Sequence, residues 1–309
     1  MEIQENILLK DHTTFEIGGV AKYFVVVHSK EELQEALEYA QTKNLAFTFI
    51  AGGSNILASD SGFDGLVIKM ALVKHSVDTE KNEVQAEAGA SLMEVIHAAC
   101  SAGLTGMEPM YGIPGTIGGA VRGNAGAFGV EVVDILSHVT AIDIESKEIR
   151  TFTNEECAFD YRDSFFKRNS NWIILSATFS LAAAESTECI KKAEEILATR
   201  NERQIQNIRS AGSFFMNPIV SEELQREFEK EKGTPARNGR VPAGWLIEKA
   251  GFKGVVKDKA ATGERSSNYV INRGAATAAM VQELTSEIQG NVEEKFGVKL
   301  EREVTQMGF

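Results

Sequence analysis

Apolar and polar positions switch between two periods along the chain, and the switches mark its elements. Residues 22–27 read as a strand, and Ser29 with Glu32 makes an S-x-x-E capping box ahead of a stripe of Leu33, Ala36, Leu37 and Ala40. Residues 45–50 read as the next strand and stop abruptly at Ala51-Gly52-Gly53-Ser54-Asn55. Strand, helix, strand and glycine turn together predict a βαβ unit that delivers a ligand loop. Residues 66–69 and Glu83–Glu87 read as strands, and Ser91 with Glu94 repeats the capping box before Leu92, Val95, Ile96 and Ala99.

Farther on, residues 139–144, 148–152 and 172–179 predict successive strands, and 186–203 a helix bridging two domains, with Ile190, Ala193, Ile196 and Leu197 on one side. Then come the turn Ala211-Gly212-Ser213-Phe214, a short helix over 242–250 closed by Gly251, and a strand over 269–272. A long helix over 277–296 ends at Gly297, a C-cap glycine. A strand over 298–304 follows, and no internal repeat is visible.

Composition narrows the class. The 309 residues, 43% hydrophobic and 25% charged, suit two soluble domains with ordinary cores. No apolar run approaches the roughly 20 residues that span a bilayer, and Met1 leads into Glu2 and Glu5 rather than a basic, then apolar, leader. A cytoplasmic protein with no membrane partner is expected. Residues 1–200 hold 16 Lys+Arg against 29 Asp+Glu, whereas 201–309 hold 16 against 15. So acidic a front half argues against nucleic acid as a partner. Residues 232–265 carry eight basic side chains against Glu248, Asp258 and Glu264, either to face a phosphorylated ligand or as ordinary solvated surface.

Cys100, Cys157 and Cys189 make no C-x-x-C pair, and His12, His28, His75, His97 and His138 have no ligand spacing, so no metal site is expected. The cysteines read as small buried hydrophobes.

The densest chemical signal is residues 112–129. Seven glycines fall there, with Arg122 the one ionisable side chain, where average usage gives roughly one glycine. Ile113, Pro114, Ile117, Ala120, Val121, Ala125, Ala127 and Phe128 make the stretch apolar, unlike a disordered linker. It is either a packed cofactor loop or a buried structural turn. Neither glycine turn fits the dinucleotide or P-loop fingerprint, so these residues alone point only to a phosphorylated, dinucleotide-like ligand.

Ala51-Gly52-Gly53-Ser54-Asn55, then Gly112-Ile113-Pro114-Gly115-Thr116-Ile117-Gly118-Gly119 with Asn124-Ala125-Gly126-Ala127, then Tyr161-Arg162-Asp163-Ser164, Ala211-Gly212-Ser213-Phe214-Phe215 with Asn217-Pro218, and residues 300–308 occur in this order. In these motifs the chain resembles the UDP-N-acetylenolpyruvoylglucosamine reductases nearly end to end. The resemblance implies an α+β fold, with an FAD-binding domain of the vanillyl-alcohol-oxidase (PCMH) type over 1–200, in subdomains of about 1–70 and 71–200. A smaller α/β substrate-binding domain over 201–309 would follow. It further implies non-covalent FAD, NADPH as co-substrate, a UDP-sugar substrate and a monomer.

By the same resemblance, Ala51, Gly52, Gly53, Ser54, Asn55, Gly112, Ile113, Pro114, Gly115, Thr116, Gly118, Gly119, Asn124, Ala125 and Gly126 hold the cofactor, and Tyr161 and Asn217 contact substrate. Arg162 would fork the substrate carboxylate, Ser213 would donate a proton, and Glu303 would be the catalytic acid, a role that needs the raised pKa burial provides. On the residues alone, Arg162 reads as well as an ion pair with Asp163, Ser213 as a turn or cap serine, and Glu303 as a solvated glutamate. Phe128 stands where relatives carry tyrosine, and Met216 where lysine or arginine is usual, which puts substrate affinity in question. Residues 167–203 are short for a tyrosine-bearing substrate loop, so the resemblance is to the branch lacking it. Two rivals stand beside this: a sugar or alcohol oxidase of the same flavin fold, and a binding module without chemistry.

Overall fold

Both S-x-x-E boxes start helices. Ser29 Oγ accepts the Glu32 N–H at 3.2 Å ahead of the helix Lys30–Thr42, and Ser91 Oγ accepts the Glu94 N–H at 3.4 Å ahead of Leu92–Ser101. In the first box the Glu32 carboxylate reaches back to the His28 N–H at 2.6 Å, which ties down the preceding strand end. The stripe Leu33, Ala36, Leu37 and Ala40 is buried, as its spacing requires.

These elements come from a computed structural model that describes residues 1–202 and 208–309. Arg203, the expected end of the bridging helix, lies outside the described residues; the helix runs over Ser186–Glu202. Two units alternate along the chain. The first comprises Met1–Ile7, Ala21–Gly52 and Asp64–Glu202, the second Leu8–Val20, Gly53–Phe63 and the described part of Arg203–Phe309.

Two larger sheets lie mainly in the first unit, beside two short two-stranded pairs. One has four strands in the order Gln4–Leu8, Val20–Val27, Phe63–Met70, Phe47–Ile50, with the last two parallel. The other is an antiparallel sheet of five, ordered Ile149–Thr153, Leu136–Asp143, Trp172–Ser180, Glu83–Glu87, His75–Asp78. Alternation sends Val139 and Ala141 to one face and Ile142 to the other. Val139 and Ala141 join the core under Leu92–Ser101, while Ile142 and Leu175 join the core under Lys30–Thr42.

A register break in this sheet positions the glycine-rich segment. Thr140 pairs with Ser176 but Ala141 pairs with Ile174, leaving Leu175 as the extra residue of a bulge. The carbonyl of Leu175 accepts the Ala88 N–H at 2.8 Å, and the Ala88 carbonyl accepts the Gly118 N–H at 2.8 Å. A helix, Ile117–Arg122, starts there, inside what reads from sequence as a loop.

The second unit draws Phe15, Ile17 and Leu57 into one core with Phe214, Phe215, Leu246, Val281 and Leu284. Its helices are Glu222–Lys232, Ala243–Lys249 and Ala278–Phe296, around a small sheet of Val256–Lys257, Ala260–Thr262 and Val270–Asn272. Asp60 accepts the N–H groups of Ala278 and Ala279 at 2.8 and 3.0 Å, a carboxylate at the positive end of a long helix. Gly297 closes that helix at φ 65°.

The strand expected over 298–304 is displaced. Val298, Leu300 and Val304 are buried alternately, but the segment has only an isolated bridge, Arg302 to Phe215. The strand proper is Thr305–Met307, parallel to Ile56–Ala58. Alternation reported burial there, not a ladder partner.

Candidate functional site

In the first unit the glycines make a backbone cradle. Thr116 caps Ile117–Arg122 through its Oγ1, which accepts the Gly119 N–H at 3.4 Å, while Ile117 and Gly118 donate to the carbonyls of Ala90 and Ala88. Those donors are therefore engaged in holding the turn. The N–H groups of Gly52, Gly115 and Thr116 donate no hydrogen bond among the described residues. A Cβ on Gly52 would lie 3.3 Å from Gly115 Cα, and one on Gly118 2.9 Å from Ala88 Cβ. Unused N–H groups on closely packed backbone suit the phosphates of a dinucleotide, so this segment fits the FAD that the resemblance implies. Ala51, Gly112, Ile113, Pro114 and Gly119 lie in the same unit. Gly53, Ser54 and Asn55 belong to the second unit, where a Cβ on Gly53 would strike the His12 carbonyl at 2.1 Å.

Below the cradle a polar network surrounds Arg162. Its guanidinium donates to the carbonyls of Asn124 at 3.2 Å and Gly126 at 3.0 Å, and sits 3.8 Å from a Glu131 carboxylate oxygen. Arg162 has φ 55°, a strained conformation for a long side chain. Asp163, the ion-pair partner the sequence offers, pairs with Arg168 instead. Asn124 is 1% exposed, and its side chain is fixed at both ends: Nδ2 donates to Glu131 and to the Asp160 carbonyl, both at 3.0 Å, and Oδ1 accepts the Val133 N–H at 3.1 Å. The Tyr161 ring lies under the Arg162 guanidinium at 5.2 Å. Phe128, 45% exposed at φ 50°, has the Arg200 guanidinium 5.6 Å from its ring centre. Burial pushes Arg122 below its ordinary pKa, with Asp163 opposing.

In the second unit the structure brings Ser213 and Glu303 into adjoining segments. Glu303 N–H donates to the Phe214 carbonyl at 2.9 Å, Met216 N–H to the Glu301 carbonyl at 2.9 Å, and Arg302 bridges Phe215. Asn55 Nδ2 donates to the Glu303 carbonyl at 3.2 Å. The Ser213 hydroxyl makes no hydrogen bond among the described residues, so it is neither a cap nor a turn clamp. Arg302 Nε is likewise buried without a partner among them. Asn217 is held by Ala243 N–H, which donates to its Oδ1 at 3.0 Å, and by Arg240, which donates to its carbonyl at 2.8 Å.

Sequence reasoning missed Asn268. Its Oδ1 accepts the Phe215 N–H at 2.9 Å, its Nδ2 donates to the Phe215 carbonyl at 2.8 Å, and its own carbonyl accepts the Phe214 N–H at 2.8 Å. It fixes the segment that presents Ser213 through a bond to Phe215 from 53 positions away, a distance no local pattern spans. Glu131 was missed too, although it stands two residues past the last glycine of the tract. Four of the eight basic residues of the stretch 232–265 make ion pairs within the protein: Lys232 with Glu231, Lys249 with Glu227 and Glu231, Lys253 with Glu248, and Lys257 with Glu283 and Glu287. Among the described residues no group of acidic, His or Cys side chains is placed to hold a metal, and no helix is long and apolar enough to cross a membrane.

Comparison with known proteins places this geometry. Residues 21–152 match the family described as an FAD binding domain, and residues 203–307 the C-terminal domain of UDP-N-acetylenolpyruvoylglucosamine reductase. An FAD-binding module of PCMH type followed by such a domain defines an α+β flavin-dependent oxidoreductase. The reductase of that name from Carboxydothermus hydrogenoformans is 38% identical over 306 residues, covering 99% of this chain and 94% of the relative. That from Solibacter usitatus is 35% identical over 297 residues, covering 96% and 94%. The crystal structure of the Thermus caldophilus reductase superimposes with a TM-score of 0.78 at 29% identity, covering 99% of both chains. The chain belongs to the UDP-N-acetylenolpyruvoylglucosamine reductase family.

Proposed function

We propose that this protein reduces UDP-N-acetylglucosamine enolpyruvate to UDP-N-acetylmuramate, a precursor of peptidoglycan, with NADPH as reductant. In this reading residues 1–200 hold the flavin, 201–309 serve the substrate, and the enzyme is a cytoplasmic monomer. FAD, when bound at the glycine turns, supplies the hydride relay from NADPH to the enolpyruvyl β-carbon.

The chain's own residues do the remaining work. Gly52, Gly115 and Thr116 offer N–H groups to the diphosphate, while Tyr161 and Asn217 contact the substrate. Arg162 forks the enolpyruvyl carboxylate and stabilises the charge that builds as the β-carbon gains hydride, because guanidinium stays charged and presents paired donors. The Ser213 O–H gives its proton to the α-carbon, completing the lactyl ether, and Glu303 acts as the acid beside it. One hydride and one proton thus saturate one C=C bond.

The observation that carries this reading is the Ser213 hydroxyl, unbonded among the described residues and set on a segment bonded to that of Glu303. The test is an anaerobic spectrum. NADPH should bleach the yellow protein, and the enolpyruvyl nucleotide should restore the colour without oxygen. A flavin that only oxygen reoxidises makes the protein an oxidase, and a colourless protein makes it a binding module.

A further inference from the structure

Arg162 is engaged by groups of the protein itself. Two carbonyls and Glu131 surround it, and Asn124 binds the Glu131 carboxylate with one end of its side chain and takes the Arg162 guanidinium on its backbone carbonyl. The Arg162 and Glu131 side chains are 21% and 35% exposed. Glu131 also caps the turn after the glycines: its own N–H donates to Asp134 at 2.8 Å, in a reciprocal box at the start of Val132–Ile135. The carboxylate is therefore held by Asn124 at 3.0 Å and by the box at the start of Val132–Ile135, while at 3.8 Å it lies beyond tight hydrogen-bond contact with Arg162.

We propose that Glu131 is a displaceable counter-ion for Arg162: a positioning residue that aims the guanidinium and competes with the carboxylate of the incoming substrate. The inference rests on the reading of Arg162 as the carboxylate fork. Two carboxylates facing one guanidinium repel each other, so Glu131 weakens binding of any carboxylate-bearing ligand at that point. The same side chain limits where the fork can point. Removing its charge should tighten the ligand and slow the chemistry together, a combination that loss of mere scaffolding does not produce.

The test uses the FAD-loaded full chain and Glu131→Gln, which keeps an acceptor for Asn124. Calorimetric titration compares UDP-N-acetylglucosamine enolpyruvate with UDP-N-acetylglucosamine, which lacks the carboxylate. The variant should bind the first about threefold more tightly, the size of a partly exposed ion pair, and the second as wild type does. Its kcat should fall roughly tenfold or more, as misaimed catalytic groups do, with flavin reduction by NADPH unchanged. In an Arg162→Met background both effects should vanish. Equal change toward both nucleotides, weaker carboxylate binding with a lowered melting temperature, or an effect that survives Arg162→Met overturns the proposal. A wild-type protein that turns over while Glu131→Gln matches it sinks this inference alone. A wild-type protein that binds neither nucleotide sinks the functional reading and this inference with it.

Discussion

The N–H of Glu303 donates to the carbonyl of Phe214 at 2.9 Å, which makes the proposed acid a bonded neighbour of the residue following the proposed proton donor. Ser213→Ala removes the one hydroxyl without touching that bond. Flavin reduction by NADPH should stay near wild type, while transfer to the enolpyruvyl nucleotide slows by about 100-fold or more, the range general-acid loss produces. Stopped-flow absorbance separates the two half-reactions, and equal loss in both would mean a folding defect.

Gly118 and Gly119 are adjacent but not equivalent. A methyl on Gly118 meets Ala88 Cβ at 2.9 Å and the Ala88 carbonyl at 3.1 Å, on the bond that seats the helix, so Gly118→Ala should cost about 1–3 kcal/mol. A methyl on Gly119 meets only Thr116 Oγ1 at 3.6 Å. Gly119→Ala should stabilise the FAD-free protein by about 0.5–1 kcal/mol through helix propensity, yet weaken FAD binding on the proposal that Gly119 lines the cofactor site. Urea unfolding and flavin titration check both halves.

Asn268→Ala leaves the N–H and the carbonyl of the buried Phe215 without their side-chain partner. Two such orphaned groups should lower unfolding free energy by about 2–5 kcal/mol. Urea denaturation measures it, and a loss below about 1 kcal/mol would mean that water replaces the amide.

All three thiols are buried. Burial pushes Cys100 and Cys157 up to about 12 and raises Cys189 as well. A thiol-specific colour reagent at pH 8 should therefore react with none of them in the native protein and with all after denaturation. Fast reaction of any one would contradict its placement.

Hydrogen bonds from Lys249 and Lys232 hold the Glu231 carboxyl down to about 2. A depressed carboxyl stabilises the fold above its unfolded value and loses that contribution as pH falls toward the folded one. Between about pH 4.5 and 2 the wild type should therefore lose stability more steeply than Glu231→Gln, and the two acid titrations, followed by circular dichroism, should converge at the low end. Parallel curves would show that solvent screens the pairing.

Much of the first unit was legible because its signals are local. Capping boxes at Ser29 and Ser91 and the stripes behind them specify their helices whatever packs above. The second unit was less so. Glu222–Lys232 shows a cap serine at 221, Leu224 and Phe228 one turn apart, and Gly233 in the left-handed cap, yet its many charges hide that pattern. Ile117–Arg122 was hidden differently: glycine is a poor helix former, and this turn exists because Ala88, Ala90 and Thr116 receive its first N–H groups. Arg162 shows the limit at the site. Its neighbour Asp163 is the partner any sequence offers, and the partner the fold supplies is Glu131. Asn268 and Ser213 meet only through the fold.

The pairing of Thr305–Met307 with Ile56–Ala58 has a consequence for biosynthesis. Asn55 and Glu303, beside that pairing, lie 248 positions apart. A ribosome therefore delivers one strand long before its mate, and the interior built on Phe15, Ile17 and Leu57 waits half-made until translation has passed Met307. A gene fragment encoding only 201–309 would lack those three side chains and should yield an unfolded, protease-sensitive product.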